Sequence, residues 1–376
     1  MRIAFDVSYI QKNRAGIGRH ALQLIKALLQ VDRHNEYVLH GWSLGLDGDL
    51  ISRLQTHNSH LSTARIPGDV KRLYWNRLRT PSIETFVGNV QIFHSTDPFL
   101  PPTKKAKAIS TVHDLAYKRL PEMFEPRVPS WDKYVERSTR LADAIIVPSQ
   151  LTKSDLIEMF QVSAERVHIV QPPVNECFSS TKNISENEIV KQKFNLIKPY
   201  ILFVGTFEPR KNIPAIVKAF EQVQKDCRPD VDLVLVGKQG WLYDETLRTI
   251  NSSQVKSRIH YLEYVSDNEL WSLYRQALCF VYPSLYEGYG FPILEAMASG
   301  VPIITSNSSS LRELADGVAL LVDPRSIQDI AEAMNMLITN EVRRVEMRQR
   351  GLHIIQQFTA EAAAKKVLDI YTSLAS

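Results

Sequence analysis

The stretch YILFVGTFEPRKNIPAIVKAFEQV, residues 200–223, decides how the chain folds. Tyr200 to Thr206 form an apolar, β-branched run of strand length with no polar face, which reads as a strand buried on both sides. A turn follows. From Ile213 the apolar residues recur with the spacing of a helix. A strand covered on both faces and followed by a crossover helix is the building unit of a parallel sheet.

The same unit recurs in both directions. Upstream, RIAFDV, YVLHGW, VQIFHS, AISTVHD and AIIVPS read as strands, with helices such as RHALQLIKALLQ between several of them. Residues 171–199 are polar, open on two prolines and read as a linker with one short helix. Downstream, VDLVLVG, RIHYLEYV, CFVYPS, VPIITS and ALLVD continue the alternation. Ser266 with Glu269, and Ser310 with Glu313, have the spacing of capping boxes and are expected to open helices. A chain of 376 residues is too long for one ordinary core. The expected fold class is α/β, with two doubly wound, Rossmann-like domains facing across a cleft, the first over residues 1–175 and the second over 176–357.

Composition narrows the function. Hydrophobic residues make up 44% and charged residues 23%, which excludes a disordered or fibrous chain. Cys177, Cys227 and Cys279 are scattered and odd in number, the pattern of a reducing compartment rather than a disulfide framework. The N-terminal MRIAFDVSYI is too short for a signal peptide and contains Asp6, and no apolar run reaches membrane-spanning length, so a cytoplasmic location is expected. The first 175 residues hold 23 Lys and Arg against 17 Asp and Glu, the remainder 22 against 24. The basic first half contains VKRLYWNRLR, residues 70–79, and Lys104, Lys105 and Lys107. Such surfaces suit anionic lipid headgroups or a pyrophosphate-linked acceptor, and they equally describe a solvated face. No nucleic-acid-binding motif accompanies them, so no nucleic-acid partner is expected. No HExxH, CxxC, Walker A or GxSxG pattern occurs, and Asp47-Gly48-Asp49 and Asp230-Val231-Asp232 are poorly placed for a cation, so no metal site is expected.

Ligands of open α/β sheets sit beyond the carboxyl ends of the strands, and four constellations stand there. In YPSLYEGYGFPILEAMASG, residues 282–300, Glu287 and Glu295 flank a loop with Gly288 and Gly290 that runs through Phe291 and Pro292 into a helix. Free N–H groups and a helix dipole there suit a phosphate or sugar oxygen, whereas the two carboxylates suit hydroxyls at opposite ends of a sugar nucleotide. Taken alone, the glutamates also fit a solvated loop and a first-turn position. Arg210 and Lys211 follow a strand and precede a helix, where the dipole disfavours cations, and they suit a diphosphate. Gly16 and Gly18 precede the first helix but lack the full dinucleotide fingerprint, because Ala21 stands in the third glycine position. His113, with Asp114, ends a strand and is able to donate to a sugar hydroxyl; His94 is a similar but weaker case.

Together, FVGTFEPRKN, the Glu-x7-Glu spacing of YEGYGFPILEAMASGVPIITS, LRELADGVALLVDP, the early GIGRH and TVHDL resemble the family 4 glycosyltransferases of the two-domain GT-B fold. The resemblance covers nearly the whole chain and is most specific over residues 200–325. It implies that Glu287 contacts donor sugar hydroxyls, that Glu295 contacts the ribose, and that amides near Gly290 and Phe291 hold the sugar or diphosphate. It further implies that Arg210 and Lys211 neutralise the diphosphate, that His113 reaches the donor sugar, and that Gly16 and Gly18 lie near donor phosphate and acceptor. Tyr264 and Val265 fall where the base is held, and the C-terminal helix, within 358–376, is expected to pack back on the first domain. The family's N-terminal loop often has adjacent glycines where this chain has Ala15-Gly16. The implied activity is metal-independent transfer of a hexose with retention, needing no cofactor beyond the nucleotide-sugar donor. UDP-glucose or a related UDP-hexose is placed first and GDP-mannose second. The acceptor is a saccharide or lipid-linked saccharide of polysaccharide assembly, reached with peripheral contact at the inner membrane face. A two-lobed non-catalytic binding protein, or an epimerase or phosphorylase of the same fold, remains the alternative.

Overall fold

The computed structural model describes the chain except for residues 11–15, 43–51, 53, 65, 67–73, 126–129, 175–177, 179–183 and 228. It divides into two compact units: Met1–Leu115, Arg127–Pro173 and Phe358–Ser376 form the first, and Ala116–Pro126 and Val174–Gln357 the second. The chain therefore passes from one unit to the other at four points. Most of the linker stretch belongs to the second unit, where it contributes the helix Ile184–Phe194.

Among the described residues the first unit is built on seven parallel strands: β1 Arg2–Asp6, β2 Glu36–Gly41, β3 Ser59–Thr63, β4 Ile92–Ser95, β5 Lys107–Thr111, β6 Ala144–Val147 and β7 Val167–Ile169. Their order is β3-β2-β1-β4-β5-β6-β7. The described residues of the second hold six: β8 Tyr200–Val204, β9 Asp232–Val236, β10 Ile259–Leu262, β11 Cys279–Tyr282, β12 Ile303–Ser306 and β13 Ala319–Val322, in the order β10-β9-β8-β11-β12-β13. All pairings are parallel. This is the doubly wound α/β class expected from the sequence. β3 and β7 escape sequence reading because both lie at sheet edges: SHLST is mostly polar and solvated, and β7 has three residues.

Two helix starts differ from expectation. The helix Ser309–Ala315 opens from Ser308 rather than Ser310, whose side chain is buried, so the second predicted capping box is not one. The Ser266–Glu269 box is formed, with both reciprocal bonds. The first helix, Gly16–Val31, begins at Gly16, so Gly16 and Gly18 lie in its first turn instead of preceding it.

The C-terminal helix Ala360–Ala375 completes the first unit's core. Ala363, Ala364, Val367, Ile370 and Tyr371 join Ala21, Leu24, Ile25 and Leu28 of the first helix and Ile3 and Phe5 of β1 in one apolar cluster. At its centre the Tyr371 hydroxyl meets His94 Nδ1 at 2.6 Å, and His94 Nε2 lies 3.3 Å from Thr111 Oγ1. Burial holds His94 neutral, lowering it to about 3. His94 is thereby a satisfied core residue. Tyr371→Phe leaves that ring nitrogen unpaired in an apolar core, and an expected loss of about 1–3 kcal/mol is readable from the denaturation midpoint.

Ala116–Pro126, which follows β5 in the chain, is held in the second unit by Trp241. The indole N–H donates to Met123 O at 2.9 Å, and the ring stacks on Phe124 at 5.4 Å between centroids.

Candidate active site

Strand order in the second sheet reverses between β8 and β11, the switch point where an open parallel sheet leaves a crevice at its carboxyl end. The segments that leave these two strands, residues 205–212 and 283–290, border it. They are tied together. Asn212, in left-handed backbone with φ 61°, donates through Nδ2 to Pro283 O at 3.1 Å and Pro324 O at 2.6 Å. Leu285 N donates to Arg210 O at 2.8 Å.

Here the structure brings Arg210, Lys211 and Glu287 into one cluster. Arg210 Nη1 lies 2.7 Å from Glu287 Oε2 and donates to Tyr286 O at 3.1 Å, while Nη2 lies 2.6 Å from Glu208 Oε1. Lys211 Nζ donates to Glu287 Oε1 and to the Tyr282 hydroxyl, each at 2.5 Å, and stands 4.0 Å from Glu208 Oε1. Tyr282 donates to Glu287 Oε1 at 2.9 Å. All four charged side chains are largely buried, that of Glu208 3% exposed and that of Glu287 8%. Burial alone would raise the Glu287 carboxyl; Arg210 and then Lys211 outweigh it and hold it at about 2. Burial, followed by repulsion from Arg210, lowers the Lys211 ammonium. A carboxylate offers about four acceptor sites, and Glu287 uses three of them on these side chains. What remains is an ionised acceptor beside two cations in a poorly solvated site, a combination suited to hydroxyl recognition and to stabilising a developing anion.

The loop after Glu287 is braced from a neighbouring helix. The Ser310 hydroxyl lies 2.7 Å from Glu287 O and 3.1 Å from Tyr289 O, sharing one proton between them. Gly290 then takes φ 109° and opens the helix Phe291–Ala298, with Pro292 in its first turn. The positive φ is what requires glycine here; a Cβ would also lie 2.7 Å from Leu311 Cδ2, which would have to shift. Phe291 packs edge-on against buried Tyr289. Glu295 is buried one turn further on and accepts from the Tyr274 hydroxyl at 3.1 Å. Tyr264, 75% exposed, and half-buried Val265 follow β10.

In the first unit the switch point lies between β1 and β4. His113 follows the neighbouring β5, and its Nε2 donates to Thr96 O at 2.8 Å. Burial lowers its pKa, so the ring is neutral near pH 7. His20, from the helix that Gly16 and Gly18 begin, packs edge-on against His113 at 5.0 Å between centroids, joining the GIGRH and TVHDL segments. At the switch point itself Asp97 accepts from the Tyr9 hydroxyl at 2.5 Å, from Ser95 Oγ at 3.1 Å and from Phe99 N at 3.0 Å. Burial, then the neighbouring Asp6, raises Asp97 to about 7.

Sequence reading missed Glu208, Tyr282 and Ser310 in the second unit and His20, Tyr9 and Asp97 in the first. Only Glu208 left a usable signal, a carboxylate two residues ahead of Arg210. Of the two Asp-x-Asp triplets, the second is engaged by Arg and Lys side chains, Asp232 by Arg258 at 3.0 Å and Asp230 by Lys198 at 2.8 Å, and His260 Nε2 lies 2.9 Å from Asp232 Oδ2. The first triplet, Ala15, Cys177 and residues 70–73 of the basic stretch lie outside the described residues.

Comparison with known proteins agrees with this architecture. Residues 184–354 match the family model described as glycosyl transferases group 1, and residues 14–176 the one described as glycosyltransferase family 4. Over 385 aligned residues, covering all of both chains, the sequence is 30% identical to the O-antigen chain mannosyltransferase B of Escherichia coli. It is 28% identical over 251 residues to the O-antigen chain mannosyltransferase RfbU of Salmonella typhimurium, spanning 67% of this chain and 65% of that one. Among solved structures, WaaG, a glycosyltransferase involved in lipopolysaccharide biosynthesis, superposes with a TM-score of 0.74 at 18% identity, covering 98% of this chain and 99% of that one. Anabaena Alr3699/HepE in complex with UDP and glucose superposes at 0.76 with 17% identity, covering 99% and 100%. These structural likenesses establish the fold alone.

Proposed function

This chain belongs to glycosyltransferase family 4, and from that premise we propose that it transfers a mannosyl residue from GDP-mannose to a saccharide or lipid-linked acceptor during polysaccharide assembly. The observation that carries the reading is the full-length relationship to a protein named as an O-antigen chain mannosyltransferase. The buried Arg210–Lys211–Glu287 cluster at the switch point supports its chemistry. UDP-glucose, first on sequence grounds, moves to second, because the names of the full-length and partial relatives favour mannose.

In this mechanism Arg210 and Lys211 meet the diphosphate, and Glu287 takes a donor sugar hydroxyl on its remaining acceptor site. The N-terminus of the Phe291–Ala298 helix supports the phosphate oxygens, Glu295 takes the ribose, and Tyr264 and Val265 border the base. As the bond from the anomeric carbon to the diphosphate oxygen breaks, negative charge grows on the leaving group opposite an oxocarbenium-like sugar, and the two cations act most strongly on that state. The leaving oxygen takes the acceptor's proton on the face that the acceptor attacks, which gives retention without a metal ion. A trapped covalent sugar–enzyme adduct would overturn this step.

Calorimetric titration in EDTA against GDP, UDP, ADP and their mannose or glucose conjugates tests the donor. Binding of GDP and GDP-mannose is expected to exceed that of the UDP pair; the reverse order restores UDP-glucose.

Contact with an anionic membrane face belongs to the same proposal. Among the described residues no helix is long and apolar enough to cross a membrane. Exposed Tyr74 and Leu78 lie in the turn Tyr74–Leu78, and exposed Trp131, Lys133 and Arg140 in the helix Ser130–Leu141. The two elements are linked through Trp75, Phe99 and Tyr134, whose rings lie 5.5 and 5.2 Å apart in succession. Flotation with vesicles containing anionic phospholipid is expected to carry the protein upward, and Trp131→Ser to reduce the bound fraction about tenfold. Equal flotation with neutral vesicles would remove the electrostatic part.

A further inference from the structure

The cluster at the β8–β11 switch point holds two cations and two carboxylates, so its formal charge is zero. A diphosphate arriving there meets a neutral group rather than two uncompensated positive charges. Glu287 has a proposed task on the donor sugar; Glu208 has none. Its side chain is 3% exposed and lies 2.6 Å from Arg210 and 4.0 Å from Lys211. It stands at the foot of the short helical turn Pro209–Lys211 without capping it, and its side chain is ion-paired with the two cations.

We propose that Glu208 is a positioning residue that fixes Arg210 and sets the charge of the diphosphate subsite, lowering affinity for the released nucleoside diphosphate and so favouring turnover. The inference rests on the proposed placement of the diphosphate at Arg210 and Lys211. Its logic is electrostatic. The leaving group carries more negative charge after transfer than before, so fully uncompensated cations would hold the product more tightly than the donor. A fixed carboxylate beside them weakens both, and weakens the more highly charged product more. Product release limits turnover in many well-evolved enzymes, and a built-in counter-charge would relieve it here.

The test uses the full-length protein, with UDP and GDP as calorimetric probes and steady-state transfer as the second readout. Glu208→Gln keeps the side chain's size and removes its charge. It is expected to tighten binding of the preferred diphosphate about tenfold and to lower kcat and KM together. Glu208→Asp keeps the charge but retracts it, and is expected to tighten binding about twofold. A merely structural role would lower stability and weaken binding in both variants. Unchanged or weaker diphosphate affinity in Glu208→Gln, while Arg210→Ala with Lys211→Ala does weaken it, overturns this inference and leaves the proposed function standing. Unchanged affinity in all of these variants overturns the placement of the diphosphate itself. Should Glu208→Gln not fold, Glu208→Asp decides alone: affinity equal to or weaker than wild type overturns the inference.

Discussion

Replacing Glu287 with Gln is expected to lower turnover by about 10²–10³-fold while leaving nucleoside diphosphate binding at least as tight as in the wild type. Gln preserves the shape of the side chain, but its amide cannot replace a carboxylate that accepts from Lys211, Tyr282 and Arg210 at once. The sugar hydroxyl proposed to sit on the fourth acceptor site then loses an ionised partner, and the donor is held by its diphosphate without its sugar being oriented. Steady-state kinetics beside calorimetry separates the two effects; unchanged turnover would remove Glu287 from the sugar. Stability should respond as well, by about 3 kcal/mol, because two buried cations lose a counter-ion. The pH dependence has a defined sign. Glu287 is held at about 2, below its usual 4.5, so its stabilisation is complete above pH 4.5 and fades as pH falls toward 2. The difference in melting temperature between wild type and variant is therefore greatest near neutrality and shrinks below pH 4.5.

Arg210→Ala combined with Lys211→Ala is expected to weaken nucleoside diphosphate binding about 100-fold, since two charge-assisted contacts at about 1.5 kcal/mol each are lost. Transfer should fall further than binding, because the same cations act on the charge that develops as the diphosphate leaves. The double variant also strands Glu208 and Glu287 together in a buried site, where two carboxylates without a cation resist full ionisation. Its melting temperature should therefore rise on mild acidification, whereas the wild type's should not. Calorimetry on a sample whose thermal transition has been recorded distinguishes lost affinity from lost folding. Equal affinity would move the diphosphate elsewhere.

The interior strands were readable because a strand covered on both faces must be apolar throughout, as YILFVG and CFVYP are. SHLST and VHI gave no such run because a sheet edge is solvated on one side and short. Glu287, Arg210 and Lys211 stood out as charged residues just after strands, at positions a parallel sheet keeps for ligands. Their mutual pairing did not, since a separation of more than seventy residues carries no distance information without the strand order. Tyr282 reads as one more core aromatic until its hydroxyl is seen against Glu287. Ser310 carries the spacing of a helix cap, yet its hydroxyl turns toward the Glu287 loop, because the helix begins one residue before it at Ser309. His94 illustrates the converse: a histidine at a strand end that looks functional by position is consumed by Tyr371, from the far end of the chain.

That last contact has a bearing on how the molecule comes into being during synthesis. Domains generally fold as they emerge from the ribosome, the N-terminal one first. Here the apolar cluster that contains β1 and the first helix also contains Ala363, Ala364, Val367, Ile370 and Tyr371, so the unit begun first cannot reach its native core until synthesis has passed Tyr371. The second unit has its entire sheet before that point. Translation order and completion order are thus inverted, and the nascent first sheet spends the longest time with part of its apolar surface uncovered.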